Sequence, residues 1–439
     1  MTLLRNAPEP EEGFWLPFTA MRAFQDAPVL FDRAEGMHYV TPEGRRVLDM
    51  MAGLWCVNAG HAHPRIVAAI REAAGTLDFV SSFRMSHPGA FAFARRLLDA
   101  VPLMARAFFS NSGSEAVDTA LKIARAWHRA RGEAGRTKFI GRAKAYHGVG
   151  FGGLSVGGIA RHKRDFGPLL GDVFHLPLPH DPGQRFLRSR PAADPRWSQA
   201  LEEILAVQDP STVAAVIVEP VTGSGGVYPP PLGYLEALRT ICDRHGILLI
   251  FDEVITGFGR LGACTAAQAL GVAPDIMTMA KGLTNGAVPM GATLVNARVF
   301  DAFMAAPRSA PELMHGYTYS AHPLACAAGL ATLDAYEQEG MFAAAARIAR
   351  PFADALLALE GAPHVTDVRC CGLLGAVDLA PRDATPGARG AEVAERCLAD
   401  GVLIRAAGDT LVLSPPLVVT ETQIEETVAA IRRALAATG

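Results

Sequence analysis

The chain lacks a bilayer-spanning run, a metal-like or disulfide-like cysteine spacing, an imbalance of charge and an internal repeat, and each absence removes a class of function. No uninterrupted apolar stretch approaches the roughly 20 residues of a membrane helix. The formal net charge is -3 and the basic residues are spread along the chain, which leaves no electrostatic footprint for nucleic acid or an anionic membrane. The seven cysteines, Cys56, Cys242, Cys264, Cys326, Cys370, Cys371 and Cys397, are odd in number and scattered, as expected for reduced thiols in a cytoplasmic protein. Met1 to Gly13 is rich in Pro and Glu and lacks the apolar core of a signal peptide. His61-x-His63 alternates faces if extended, and His147 has no partner at ligand spacing, so no metal site is expected. What remains is a protein that handles small molecules.

The 439 residues, half of them hydrophobic, can bury a large core and should divide into more than one domain. From about Ala107 to Val295, short apolar runs alternate with amphipathic helical patterns, the signature of an α/β fold around a mostly parallel sheet flanked by helices. The expected strands are Ala107 to Ser110, Thr137 to Gly141, Val173 to Leu176, Val213 to Val218, Ile247 to Phe251, Ile276 to Ala280 and Ala292 to Val295. His180 to Trp197, rich in Pro, Arg and Asp, reads as a surface loop. Beyond Ala321 come Ala-rich helices, two strands near Val365 to Leu379, and a last helix capped by Thr420 with Gln423 at the capping-box position. The expected division is residues 1–60 as part of a smaller α+β domain, 61–325 as the large domain, and 326–439 as the rest of the small one.

Three of the expected strands deliver a charge to their carboxyl ends: Glu219, Asp252 and Lys281. Open α/β sheets bind ligands at that edge. Asp252 and Lys281 could be a structural ion pair. Alternatively, Lys281 forms a Schiff base with a pyridoxal cofactor while Asp252 holds its pyridine nitrogen protonated. Burying three charges without pairing or function is rare, which favours the cofactor. Ser112-Gly113-Ser114 opens a helix whose first N–H groups could hold a phosphate, or could be a plain N-cap. Tyr146 could stack on a flat ring or simply pack. The segment does not supply the glycine fingerprint of an NAD enzyme.

With Leu249-Ile250-Phe251-Asp252-Glu253-Val254-Ile255-Thr256-Gly257-Phe258-Gly259-Arg260, Lys281, Thr284 to Gly291 and His315-Gly316-Tyr317-Thr318-Tyr319-Ser320-Ala321-His322-Pro323, the chain resembles the class III (ω-amino acid) aminotransferases of pyridoxal-phosphate fold type I. The likeness runs from about Trp15 to the last helix. It is nearest to the β-alanine (ω-amino acid):pyruvate branch, through Gly53-Leu54-Trp55 and Arg405 to Leu411. The resemblance implies pyridoxal 5'-phosphate as cofactor, with Lys281 and Asp252 catalytic. Ser112, Gly113, Ser114, Tyr146, Glu219 and Val254 would join them around the cofactor, Trp55 would line the substrate pocket, and Arg405 would take the substrate carboxylate. It also implies a homodimer, with assembly into a homotetramer left open, in which Thr318 of one chain completes the phosphate site of the other.

The implied reaction is ping-pong transfer of an amino group from an ω-amino acid, β-alanine favoured, or a related primary amine, to pyruvate. Lys281 would be tether and proton carrier. Arg405 would swing on its long side chain to serve substrates whose carboxylate lies at different distances from the reacting carbon. Ala406, Ala407 and Val412 depart from the expected pattern and could widen or dry the pocket. Other readings are an aminotransferase using 2-oxoglutarate or another donor, such as 4-aminobutyrate, taurine or a polyamine; an aminomutase or decarboxylase; and a silent binding protein on the same fold.

Overall fold

The computed structural model describes residues 13–382 and 385–439; the expectation about the N-terminal thirteen residues falls almost wholly outside them. Seven strands form the central sheet, in the order Arg106–Ser110, Gly291–Val295, Ile276–Met279, Leu248–Asp252, Val213–Val218, Lys138–Arg142 and Val173–Leu176. Every expected strand is present within a residue or so of its expected bounds. All run the same way except Gly291–Val295, which is antiparallel to both neighbours. The cause is its connection: only a short 3-10 turn, Lys281–Thr284, and a few residues separate it from Ile276–Met279, and a parallel return needs a longer crossover.

All residues of Val213–Val218, Leu248–Asp252 and Ile276–Met279 are buried. Each large aliphatic side chain there stabilises the sheet by about 1.5–3 kcal/mol. Helices cover both faces, and the Gly113–Ala130 helix packs Val117, Leu121, Ala124 and Trp127 onto the sheet. The last helix, Glu421–Ala436, carries the expected reciprocal cap between Thr420 and Gln423.

Two four-stranded sheets make up the rest. Arg33–Glu35, His38–Val40 and Arg46–Asp49 are extended by Val402–Leu403, which ties the start of the chain to its end. Val365–Cys371, Leu374–Leu379, Thr410–Leu413 and Arg405–Ala407 form an antiparallel sheet. The aperiodic 180–197 stretch is held more firmly than a surface loop. Its Leu187 bridges the backbone of Arg369, Phe186 N–H donates to Asp367, and Trp197 already belongs to the Arg196–Gln208 helix. Tertiary contacts order it where hydrophobic period does not.

Buried Arg369 joins this sheet to the glycine-rich loop beyond Glu219. It pairs with Asp367 and Asp378 and donates to the carbonyls of Gly226 and Val227 at 2.9 and 3.1 Å.

Candidate active site

Asp252 is the last residue of its strand and is buried. Its Oδ1 accepts from Val254 N–H at 3.1 Å and from the hydroxyl of Thr278, its register partner, at 3.2 Å. Its Oδ2 accepts from His147 Nδ1 at 2.7 Å, which requires the ring proton on Nδ1. Sequence alone considers His147 only as a metal ligand and misses this role. The available signal is its place beside Tyr146 after a strand two positions away in the sheet. Glu219, also buried, accepts from Tyr146 N–H at 2.9 Å and Gly223 N–H at 2.7 Å. Burial holds its carboxyl above the usual range, against the opposing pull of His147.

Lys281 follows its strand with φ +54°, a left-handed conformation costly for a side-chain-bearing residue. Tyr336, donating to Gly282 O at 2.8 Å, and Gly286 N–H, donating to Lys281 O at 3.0 Å, hold the turn. Burial pushes the amine below the ordinary lysine range. Among the described residues Lys281 has no ion pair, with Asp252 or any other acid; its Nζ lies 4.9 Å from the centroid of the Trp55 ring. The direct Asp252–Lys281 pair is therefore not what these strand ends build.

Trp55 is presented by a tight, strained turn, with positive φ at Ala52, Gly53 and Trp55. Buried Asp49 clamps it, accepting from Met51 N–H at 2.9 Å, Gly53 N–H at 2.5 Å and His61 Nε2 at 2.8 Å. The guanidinium carbon of Arg405 lies 4.9 Å from the same indole centroid. Arg405 forms no salt bridge among the described residues. Burial, then the neighbouring Arg161, lowers its pKa. Arg161 is exposed, and beside it His162 meets the Tyr146 ring edge-on at 5.5 Å. Sequence reasoning missed both; the basic run Arg161-His162-Lys163-Arg164 was the only trace. Val412, the register partner of Arg405, packs in an apolar cluster with Trp55, Val221 and Ile255.

Ser112 caps the Gly113–Ala130 helix, accepting from Glu115 N–H. Ser114 instead faces the Tyr146 loop, accepting from Val149 N–H at 3.1 Å with its own proton free to donate. A Cβ on Gly113 would lie 3.0 Å from Val254 Cγ1, and one on Gly148 (φ +90°) would collide with Ser114. Glycine lets the helix start lie flat on the strand ends. Thr318 is exposed, on a segment distinct from this chain's own cluster.

An anion-ready helix start, a buried carboxylate with a fixed partner and an unpaired amine at one sheet edge fit a phosphate, a ring nitrogen and an aldehyde. A family model described as aminotransferase class-III matches residues 20–435. The chain belongs to the class III aminotransferase family. Members are pyridoxal-phosphate enzymes, and the site fits that cofactor. Similar proteins include an omega-aminotransferase of Caulobacter vibrioides, 53% identical with 97% of each chain covered, and a beta-alanine–pyruvate aminotransferase of Pseudomonas aeruginosa, 46% identical with 91% of this chain and 90% of that one covered. An amine transaminase from an uncultivated Pseudomonas species, solved in PLP-bound form, superposes with a TM-score of 0.92 at 40% identity, covering 98% of this chain and 100% of that one. The fold of this chain is that of the PLP-dependent transaminases of fold type I, with a mostly parallel central sheet.

Proposed function

We propose that this aminotransferase moves the amino group of an ω-amino acid, β-alanine favoured, or a related primary amine to pyruvate, forming alanine and an aldehyde or ketone. The observation that carries it is the shared indole: the Lys281 amine and the Arg405 guanidinium both lie 4.9 Å from the centre of Trp55. A nucleophilic amine and a carboxylate binder thus share one wall of a pocket for a short acid.

Gly113, Ser114 and the helix N–H groups would hold the cofactor phosphate, with Ser112 shaping the helix start. Tyr146 would cover the ring on one side and Val254 support the other. The cofactor, when bound, supplies an electron sink for the carbanion formed at the amine-bearing carbon. Asp252, ionised and oriented by His147, would keep the ring nitrogen protonated; Glu219 would fix the Tyr146 loop from below. Lys281, its amine biased toward the neutral base by burial, would carry the proton from the donor's carbon to the cofactor and run that transfer in reverse for the acceptor. Arg405 would bind the carboxylate bidentately, and Trp55 would exclude water.

The family resemblance and the exposed Thr318 support a homodimer in which that residue completes the partner's phosphate site. Dimers could pair further into a tetramer. The free cysteines of the described residues and the absence there of any helix long and apolar enough to cross a membrane suit a cytoplasmic enzyme. The test is the visible absorbance of the purified protein: bleaching by β-alanine and recovery with pyruvate are expected, and a spectrum indifferent to both sinks the reading. One observation favours a second acceptor class. Arg161 beside Arg405 offers a second carboxylate a partner, so a dicarboxylic keto acid such as 2-oxoglutarate would be accepted alongside pyruvate.

A further inference from the structure

The segment around Thr318 has two faces. Met314, Gly316, Thr318 and Tyr319 are exposed, whereas His315 and Tyr317 turn inward. His315 Nε2 lies 2.9 Å from the hydroxyl oxygen of Thr119, and the imidazole stacks on Phe108 at 5.4 Å with the rings 3° from parallel. The Tyr317 hydroxyl donates to the Glu115 carbonyl at 3.2 Å and lies 3.3 Å from the same Thr119 oxygen. Thr119 is fully buried. Glu115 and Thr119 sit one turn apart on the helix that begins at Gly113, so both inward residues are bolted to the first two turns of the phosphate-binding helix. The outward residues continue an apolar face with Phe79, Phe83 and Met85: Phe79 meets the Tyr319 ring edge-on at 5.8 Å, and Ser82 donates to Ser320 O at 2.7 Å. A face of this kind suits a second copy of the chain.

We propose that His315 and Tyr317 are positioning residues that couple the two cofactor sites of the dimer: they fasten the segment that carries Thr318 to the partner's phosphate onto the helix that binds this chain's own phosphate. This rests on the dimer proposed above. The segment has no regular secondary structure of its own at His315 to Thr318, so its geometry is borrowed from the helix. Phosphate bound at the helix start restrains Glu115 and Thr119. Through His315 and Tyr317 the helix reduces the ordering cost of placing Thr318 across the interface, so cofactor retention at each site depends on these two residues of the partner chain.

Mixed dimers test this on the holoenzyme, scoring the cofactor that borohydride can fix to Lys281, so that only a site retaining that lysine is read. In one dimer, a chain with His315→Ala and Lys281→Ala is paired with a wild-type chain. In the other, a chain with Lys281→Ala alone is paired with a chain carrying His315→Ala. The expected result is about 10-fold faster cofactor loss from the first dimer, whose readable site depends on the altered segment of its partner. The second dimer should stay within about 2-fold of a wild-type/Lys281→Ala dimer. Thr119→Val, which keeps the shape and deletes the hydroxyl, should reproduce the effect in the same arrangement, and His315→Gln, which keeps a side-chain N–H, should restore part of it. Equal loss in both dimers, or loss only in the second, overturns the coupling. A monomeric holoenzyme by mass overturns the dimer reading itself, a separate outcome.

Discussion

The floor of the pocket and its mouth treat charge in opposite ways. On the floor every acid is spoken for: Asp252 has three donors, Glu219 two backbone N–H groups, and Glu253 the Thr256 hydroxyl and the N–H groups of Ala266 and Ala267 at the start of a helix. At the mouth Lys281, Arg405 and Arg161 have no acidic partner among the described residues, and the buried Trp55 indole N–H has no acceptor. A buried charge left unpaired is expensive. The lesson is that the anions completing the mouth are meant to arrive with ligands, while the floor is organised before anything binds.

The largest break in that contrast is Lys281→Ala, because it removes the one group at the mouth proposed to perform chemistry as well as binding. Turnover of β-alanine with pyruvate should fall about 10⁴-fold or more, read as alanine formed. An appreciable residual rate would show that another base works at the reacting carbon. On the floor, His147→Ala removes a charge-assisted hydrogen bond of about 1.5–3 kcal/mol, so kcat should fall roughly 10- to 100-fold while the KM for pyruvate barely moves. His147→Asn, which can still donate, should recover part of the loss. A change in KM alone would mean that His147 serves the substrate side instead.

The floor was far more legible in the sequence than the mouth. Uninterrupted apolar runs ending in Glu219 and Asp252 are a one-dimensional signal, shared at the mouth by Lys281 alone, since a charge that abruptly ends a buried parallel strand is costly unless it is paired or works at the sheet edge. The partner of Asp252 was not legible: His147 lies 105 positions away in sequence, and only the strand order brings the two together. Apart from Lys281, the mouth is assembled from three distant places, the Asp49-clamped turn, the short helix at 160–163 and the Arg405 strand. Arg405 and Trp55 were reached through family resemblance, and Arg161 not at all. Antiparallel Gly291–Val295 shows the same limit, because direction depends on connection length and not on composition.

A smaller effect tests whether the floor is organised in advance. Burial pushes the Glu253 carboxyl up from 4.5 to about 7. A carboxyl whose folded pKa is raised binds its proton more tightly when folded. Its stabilising contribution is therefore complete below about 4.5 and is lost as pH rises through about 7, a loss of order 3 kcal/mol over that window. Glu253→Gln cannot titrate, so its melting temperature should vary less across this interval than that of the wild type. Parallel curves would place the ionisation elsewhere.

The smallest expected effect concerns Arg161, and its size follows from exposure. Exposed ion pairs contribute about 0–1 kcal/mol, so Arg161→Ala should lower kcat/KM for 2-oxoglutarate by no more than about fivefold. Pyruvate, whose single carboxylate Arg405 would hold, should be unaffected. Arg405→Ala should weaken both acceptors alike, because each needs one carboxylate fixed before the reacting carbon can approach Lys281. The decisive quantity is thus the ratio of the two specificity constants. If Arg161→Ala leaves that ratio unchanged, the second cation at the mouth does not read a second carboxylate, and the proposal of a dicarboxylic acceptor loses its only structural support.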